Sequence, residues 1–394
     1  GTIPHGVFRM SQAPSLHLCI ATGQNLANLI PAIQCRAQEV WVLQTPEMRA
    51  SADHLADALK ARGVRVARID FDDSDVSTLN AQAAAIAERL DGRAVTINVT
   101  GGTKLMTIAL VETLAAHLAT GSTETRPHLV YTDTRHRRLD WLKPTPRSES
   151  MVDVLRLNDI LLAQGYRRKP GSGGAEAAEW QRAAQERKDL TGWLGKHVAQ
   201  LVRFFGALNK LSHDAINEPR GPWRPAQELA FTPGEVNARL LRKAHEAGLL
   251  EWDGQTSVVF RDDRAARYMG GGWVEEFAGL KISGARPTDW APRMTVEHVD
   301  TRTSNELDAV VAHGNRLLVI ECKAAAARDI DVPDWIYKSS QLARSVGGQM
   351  ARPLLLSARP ISEPHRKRAQ EYGVDVLSGA ELASLPAYLR KWMS

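Results

Sequence analysis

The stretch that most constrains this chain runs from Asn305 to Lys323. Residues 306–312 and 316–323 read as two strands joined by Gly314-Asn315, a dipeptide that suits a two-residue hairpin because its first position takes positive φ. Such a turn fixes the register. His313 pairs with Arg316, so Asp308 faces Glu321 and Glu306 faces Lys323. Period two then puts Glu321 and Lys323 on one face, beside Asp308. Leu317-Leu318-Val319-Ile320 is apolar on both faces, so the strand leading to these charges is expected to be buried.

Carboxylates facing each other across a ladder, with Cβ atoms roughly 4.5–5.5 Å apart, repel. At the end of a buried strand they call for a cation, and oxygen ligands suit Mg²⁺ or Mn²⁺. Lys323 adds a positive charge where an attacking hydroxide or a developing phosphorane oxyanion would sit. The bland alternative, an ordinary hairpin with a solvated Glu–Lys end, leaves the charge clash without a purpose.

This pattern resembles the PD-(D/E)xK nuclease superfamily. Asp308 matches the Asp of the motif and Glu321-Cys322-Lys323 its (D/E)xK, while Leu307 stands where the motif's name has Pro. The resemblance implies a restriction-endonuclease-like α/β domain over residues 272–394, with Asp308, Glu321 and Lys323 catalytic. It also implies a metal-binding Glu on the first helix, opened by Trp273-Val274-Glu275-Glu276. Glu276 is the expected third ligand beside Asp308 and Glu321, with Glu275 as the alternative. Gln341, on a helix expected over 333–346, is expected to face the metal, and Lys338 less so. Further strands are expected over 293–299, 353–357 and 374–377, with a basic helix around 365–368.

The first 143 residues carry a different pattern. Strands expected at 16–20, 39–43, 64–69 and 94–99 alternate with helices at 26–36, 52–62, 77–90 and 103–118, and a hairpin at 128–132 and 138–142 closes the region. That alternation means a parallel sheet with helices on both faces, and ligands bind such sheets beyond the carboxyl ends of the strands. Three polar loops leave those ends: Thr22-Gly23-Gln24-Asn25, Thr45, and Thr100-Gly101-Gly102-Thr103-Lys104. In the last, two glycines let backbone N–H groups approach an anion, a helix start adds its positive end, and Lys104 adds a charge. As bare residues the loop also suits a Gly-Gly turn with a capping Thr and a solvated Lys. Neither a Walker A loop nor a Gly-x-Gly-x-x-Gly is present.

Asn98-Val99-Thr100-Gly101-Gly102-Thr103-Lys104 resembles the signature of CARF domains, the CRISPR-associated Rossmann folds. The resemblance implies a CARF domain over 15–143 that binds cyclic oligoadenylate across a homodimer interface. It assigns Thr100, Gly101, Gly102, Thr103 and Lys104 to the ligand, and by position Thr22, Gly23, Gln24, Asn25 and Thr45. A two-fold dimer presents each loop twice to a cyclic ligand.

Between the two lies a region, 144–271, expected to be helical and winged-helix-like. Pro144 to Ser150 reads as a linker, 169–174 as a flexible turn, and 176–211 as a long amphipathic helix broken near Gly192 or Gly206. Thr232-Pro233-Gly234 reads as a helix start capped by Thr, and strands at 249–252 and 257–260 form a wing around Asp253-Gly254. A packing spacer is the favoured reading over a duplex-binding module, since fold alone does not give function.

The order CARF, linker, PD-(D/E)xK is similar to the cyclic-oligoadenylate-activated ancillary nucleases of type III CRISPR systems. It implies an allosteric, metal-dependent DNase or RNase of antiviral defence, activated by cyclic tetra-adenylate, with a nucleic-acid substrate. The rivals are a ligand-gated transcription regulator and a constitutive repair nuclease. The whole chain agrees with these readings. Its 394 residues fit two or three domains, and a net charge of +5 suits contact with nucleic acid. Cys19, Cys35 and Cys322 are few and outside metal spacing, so they are expected to be reduced, in a cytoplasmic protein. No run is long and apolar enough for a membrane span, and residues 1–11 lack the apolar core of a signal peptide.

Overall fold

The computed structural model describes residues 13–119, 126–172, 175–217, 219–325 and 328–394. Its contacts group the chain into two compact units. The first comprises Gly1–Arg167, His298–Thr301 and Val346–Met350; the second comprises Arg168–Glu297, Arg302–Ser345 and Ala351–Ser394.

The first unit opens with β1 (Leu16–Ile20), α1 (Asn25–Gln34), β2 (Glu39–Gln44), α2 (Arg49–Ala61), β3 (Arg65–Asp70), α3 (Val76–Leu90), β4 (Thr96–Asn98) and α4 (Lys104–Leu118). β5 (His128–Asp133), β6 (Arg138–Lys143), β7 (Arg147–Ser150), α5 (Leu157–Ala163) and β8 (Tyr166–Arg168) follow. The sheet order is β3-β2-β1-β4-β5-β6-β7, parallel through β5 and antiparallel beyond it. β1 lies between β2 and β4, so the strand order reverses at β1 and the loops after β1 and β4 flank that point, where open α/β sheets bind ligands. Leu18, Ile20, Leu43, Phe71, Leu79, Ile97 and Leu110 form the core on one face. Cys35, Val130, Leu139 and Trp141 pack together as a smaller cluster.

The run expected to be a linker, 144–150, is in part a strand. Arg147–Ser150 pairs with β6 from Trp141↔Arg147 to Arg138↔Ser150. The sequence hid it because an edge strand needs no apolar alternation. It is held by the Arg147 guanidinium over the Trp141 ring at 4.7 Å and by Ser148 Oγ donating to Asp140 at 2.5 Å.

In the second unit α6 (Ala175–Glu186) and α7 (Lys188–Ile216) precede β9 (Ala226–Glu228), α8 (Glu235–Glu246), β10 (Leu250–Trp252), β11 (Ser257–Phe260) and α9 (Asp263–Arg267). Then come α10 (Trp273–Ala285), β12 (Asp289–His298), β13 (Ser304–His313), β14 (Arg316–Lys323), α11 (Val332–Gly347), β15 (Ala351–Ser357), α12 (Glu363–Glu371), β16 (Asp375–Ser378) and α13 (Leu385–Met393). The larger sheet runs β16-β15-β14-β13-β12, antiparallel from β12 to β14 and parallel from β14 to β16.

Three expectations need correction here. The long helical region breaks at Arg187 (φ −96°, ψ 8°), not at Gly192 or Gly206, both of which lie inside the continuous α7. The helix after Thr232 is capped at Gly234 and has no side-chain cap bond. The wing has a third strand, β9, paired with β11. Part of the turn expected at 169–174 lies outside the described residues.

The winged-helix-like segment is not packed apart from the larger sheet. Leu240, Leu241, Val258 and Phe260 share one core with Leu201, Phe204, Trp273, Phe277, Val311, Leu318 and Leu356. α7 reaches that core closely at Gly195, where a Cβ would come within 2.3 Å of the Phe277 ring. No helix among the described residues is long and apolar enough to cross a membrane.

Candidate active site

The expected hairpin forms with the expected register. His313 pairs with Arg316 and the ladder continues to Ala309↔Ile320, which sets Asp308 opposite Glu321. Gly314 (φ 60°) and Asn315 (φ 59°) are both left-handed, the combination a twisted two-residue hairpin requires. The buried run is as read: Leu317, Leu318 and Ile320 are fully buried.

Past Ile320 the backbone ladder gives way to a side chain. The Cys322 N–H donates to Asp308 Oδ2 at 2.8 Å, so the carboxylate is anchored to the opposite strand. Lys323 Nζ donates to Glu321 Oε1 at 2.7 Å and lies 5.4 Å from the centroid of the Trp335 ring on α11. Glu306 does not meet Lys323; it lies 3.9 Å from Arg293 on β12.

Of the two glutamates expected as third carboxylate, the first choice, Glu276, has a partner of its own. Glu276 is buried and ion-paired with Arg187, whose guanidinium also lies 4.8 Å over the Tyr268 ring. Two neighbouring residues on a helix point about 100° apart. With Glu276 turned to Arg187, Glu275 is the one whose charge acts on Asp308. A Glu-Glu pair at a helix start cannot reveal which member faces the site until the helix packing is known.

The electrostatics mark a cluster of carboxylates short of positive charge. Burial, then the charges of Glu321 and Glu275, push the Asp308 carboxyl up to about 7 despite the Cys322 N–H and Lys323. Burial also raises Glu275, with Glu306, Glu321 and Glu276 adding to the rise against Arg293. Buried like charges that oppose one another's ionisation are stabilised by a divalent cation, so the donor set fits Mg²⁺ or Mn²⁺.

α11 places the remaining candidates less closely. Lys338 pairs with Asp334 at 2.8 Å and feels the Glu321 charge. Gln341 is exposed one turn further on, and its carbonyl accepts from Ser345 Oγ. Nothing in its contacts brings the Gln341 side chain to the carboxylates.

In the first unit the expected ligand loops divide into two kinds. Gly101 and Gly102 are needed where they stand: a Cβ on Gly101 would come within 2.5 Å of the Ile20 carbonyl oxygen, and one on Gly102, at φ 81°, within 2.8 Å of the Ile20 side chain. Thr100 Oγ1 donates to Asn98 at 2.6 Å and accepts from Thr132 N–H at 2.7 Å, and Thr103 Oγ1 caps α4 by accepting from Met106 N–H at 3.2 Å. Gly102, Thr103 and Lys104 are exposed at the helix start, while Gly23 and Gln24 are exposed in the loop after β1. Thr22 Oγ1 accepts from the Gln24 N–H at 3.0 Å. Thr45 is buried after β2. Asn25 is different, because its buried amide donates to the Ser51 and Ala163 carbonyls at 2.9 and 2.8 Å. Its amide nitrogen ties the loop down, while Oδ1 has no hydrogen-bond partner.

One other group of potential metal ligands stands out. Among the described residues, His54, His298 and Asp300 of the first unit bring ligand atoms within 4.8 Å of one another. His298 Nδ1 accepts from the N–H groups of Asp300 and Thr301, at 3.2 and 3.3 Å. That leaves the ring proton of neutral His298 on Nε2, which suits hydrogen bonding rather than ligation.

The second unit thus holds a PD-(D/E)xK nuclease fold: a hairpin carrying Asp308 and Glu321-Cys322-Lys323, a parallel strand beside it, and a helix bearing the further carboxylate. Residues 262–394 match the family model of the Card1-like endonuclease domain, so the chain carries an endonuclease domain of that family. Residues 20–135 match the family described as HFX_2341_N-like, N-terminal. Comparison with curated proteins gives no match. The fold is similar to the crystal structure of protein VC1899 from Vibrio cholerae, at 21% identity and a TM-score of 0.81, over 96% of this chain and 97% of that one. It is similar to Can2 from Sulfobacillus thermosulfidooxidans in complex with cyclic tetra-adenylate, at 22% identity and 0.75, over 96% and 99%. A third likeness is to a type III CRISPR defence DNA nuclease activated by cyclic oligoadenylate, at 18% and 0.51, over 91% of this chain and 47% of that one. At these identities the likeness is one of fold.

Proposed function

We propose that this chain is a homodimeric, metal-dependent nuclease of type III CRISPR defence, switched on by cyclic tetra-adenylate. The observation that carries the nuclease reading is the meeting of Asp308, Glu321 and Glu275 beside Lys323, in residues that match an endonuclease domain. The activator reading is supported by the glycine loop at the strand-order reversal and by the ligand of the Can2 neighbour.

Asp308, Glu321 and Glu275 would hold Mn²⁺ or Mg²⁺, and the bound ion supplies an activated water and offsets charge on the phosphate. The protein's own groups do the rest. The Cys322 N–H fixes one Asp308 oxygen. Lys323, steadied between Glu321 and the Trp335 face, stabilises the charge that develops as a phosphodiester of DNA or RNA is cut. Activator at Thr100–Lys104 would bias the dimer toward a cleaving state by no more than its differential affinity for the two states.

The test is cleavage of a labelled single strand and a supercoiled plasmid, each with and without Mn²⁺ and cyclic tetra-adenylate. Cleavage only with both supports the proposal. Cleavage without the oligoadenylate would remove the switch, and none under any condition would remove the nuclease.

A further inference from the structure

Arg293 occupies a position that ordinary sheet geometry does not explain. It lies on β12 between Pro292, which pairs with Ala309, and Met294, which pairs with Leu307, so in register it stands opposite Asp308. Its φ is +44°, in the left-handed region that a non-glycine strand residue adopts only under constraint. The residue therefore leaves the regular alternation of its strand at the point where β12 passes the catalytic Asp.

The guanidinium is shared and loosely held. Its Nε lies 3.8 Å from Glu275 and 3.9 Å from Glu306, beyond the 2.7–3.2 Å of a hydrogen bond, and its side chain is 56% exposed. Arg187, by contrast, is half-buried and committed to the buried Glu276. Arg293 also lines two cavities of this unit. One, about 710 Å³, is walled by Glu275, Cys322 and Tyr268; the other, about 600 Å³, by Glu306, Thr295 and Lys169. A planar cation with several unused donors, on the edge of a cavity walled by Glu275 and Cys322, is suited to a phosphate oxygen.

We propose that Arg293 is a substrate-binding catalytic residue: its guanidinium grips a non-bridging oxygen of a phosphodiester lying across the carboxylate site. Glu275 and Glu306 hold it in place beforehand. When Glu275 turns to a bound cation, the guanidinium loses a partner and is freed for the phosphate. The left-handed backbone is what carries the side chain from Asp308 to the cavity edge. This rests on the nuclease reading above.

The test uses the full chain and compares Arg293→Gly, Arg293→Lys and wild type. Glycine accepts φ +44° without strain, so Arg293→Gly is expected to melt no lower than wild type. Because Arg293 also bears on the Glu275 charge, cleavage is compared at Mn²⁺ concentrations shown by calorimetry to saturate each protein. Its KM for a single-stranded oligonucleotide should rise at least tenfold. Oligonucleotide binding in Ca²⁺ should show a salt slope shallower by about 0.7, the loss of one phosphate contact. Arg293→Lys should recover the salt slope but only part of the KM. Wild-type KM and salt slope in Arg293→Gly would overturn the assignment, as would a loss that disappears once Mn²⁺ is saturating. A wild type that cuts no nucleic acid would overturn the nuclease reading and this inference together, whereas normal wild-type cleavage with indifferent variants would overturn this inference alone.

Discussion

Glu275 and Glu276 are adjacent on α10, yet only Glu276 is engaged by Arg187, while the charge of Glu275 acts on Asp308. The divergence separates the two roles in a way that substitution can read. Glu275→Gln should fold normally and lose at least a hundredfold in Mn²⁺-dependent cleavage. Glu276→Gln leaves the half-buried Arg187 without its counter-charge, which costs up to about 3 kcal/mol, the lower end of the range for breaking a buried pair. Its defect should appear first in thermal denaturation. Equal cleavage by wild type and Glu275→Gln would return the third-ligand assignment to Glu276.

The raised Asp308 carboxyl makes a prediction with a definite sign. The unfolded chain releases this proton near 4, whereas the folded, metal-free protein keeps it to about 7. Between those values the native state binds more protons than the unfolded one, so stability falls as pH rises through this window. Asp308→Asn removes that contribution. The difference in unfolding free energy between variant and wild type should therefore grow in the variant's favour from pH 4 to 7 and level off above. Mn²⁺ competes with the same proton, so its apparent affinity should rise with pH and flatten beyond about 7. A difference that stays constant across the window would contradict the burial of the cluster.

Much of this site was legible in the sequence because a two-residue turn transmits register outward without error. Gly314-Asn315 alone fixed which residues face Asp308 and Glu321, and the ladder from His313↔Arg316 to Ala309↔Ile320 follows it. The inference failed where the ladder ends: Lys323 turned to Glu321, and Glu306 to Arg293, because a side chain replaces the backbone bond there. Glu276, Asn25 and Arg293 were illegible for a shared reason. Each is decided by a partner distant in sequence, namely Arg187, the Ser51 and Ala163 carbonyls, and the Glu275–Glu306 pair. β7 escaped notice because a polar edge strand and a linker have the same composition.

The loop after β4 can be tested through its glycines. An alanine at Gly101 would place its Cβ 2.5 Å from the Ile20 carbonyl, a backbone atom that cannot move aside cheaply. Gly101→Ala should cost about 1–3 kcal/mol, seen as a lower melting temperature. It should also weaken cyclic tetra-adenylate binding at least tenfold by calorimetry, while the carboxylate site still binds Mn²⁺. Unchanged oligoadenylate affinity would detach this loop from the ligand.

The proposed homodimer has its own handle next to that loop. Leu105 and Ile108 follow Lys104 on α4, one turn apart, and are 46% and 53% exposed. Apolar side chains at i and i+3 beside a ligand loop would be covered if two copies meet there about a two-fold axis, each contributing its loop to one ring. Charges on that face cannot be buried without partners, so Leu105→Glu with Ile108→Glu should convert the dimer to a monomer by light scattering. Because both positions are exposed in the single chain, the melting temperature of the monomer should fall little. Oligoadenylate-dependent cleavage should fall with the dimer, since half a ring site has no two-fold partner to close it. A doubly substituted protein that stays dimeric would move the interface elsewhere on the chain, and one that is monomeric yet fully activated would separate activation from dimerisation.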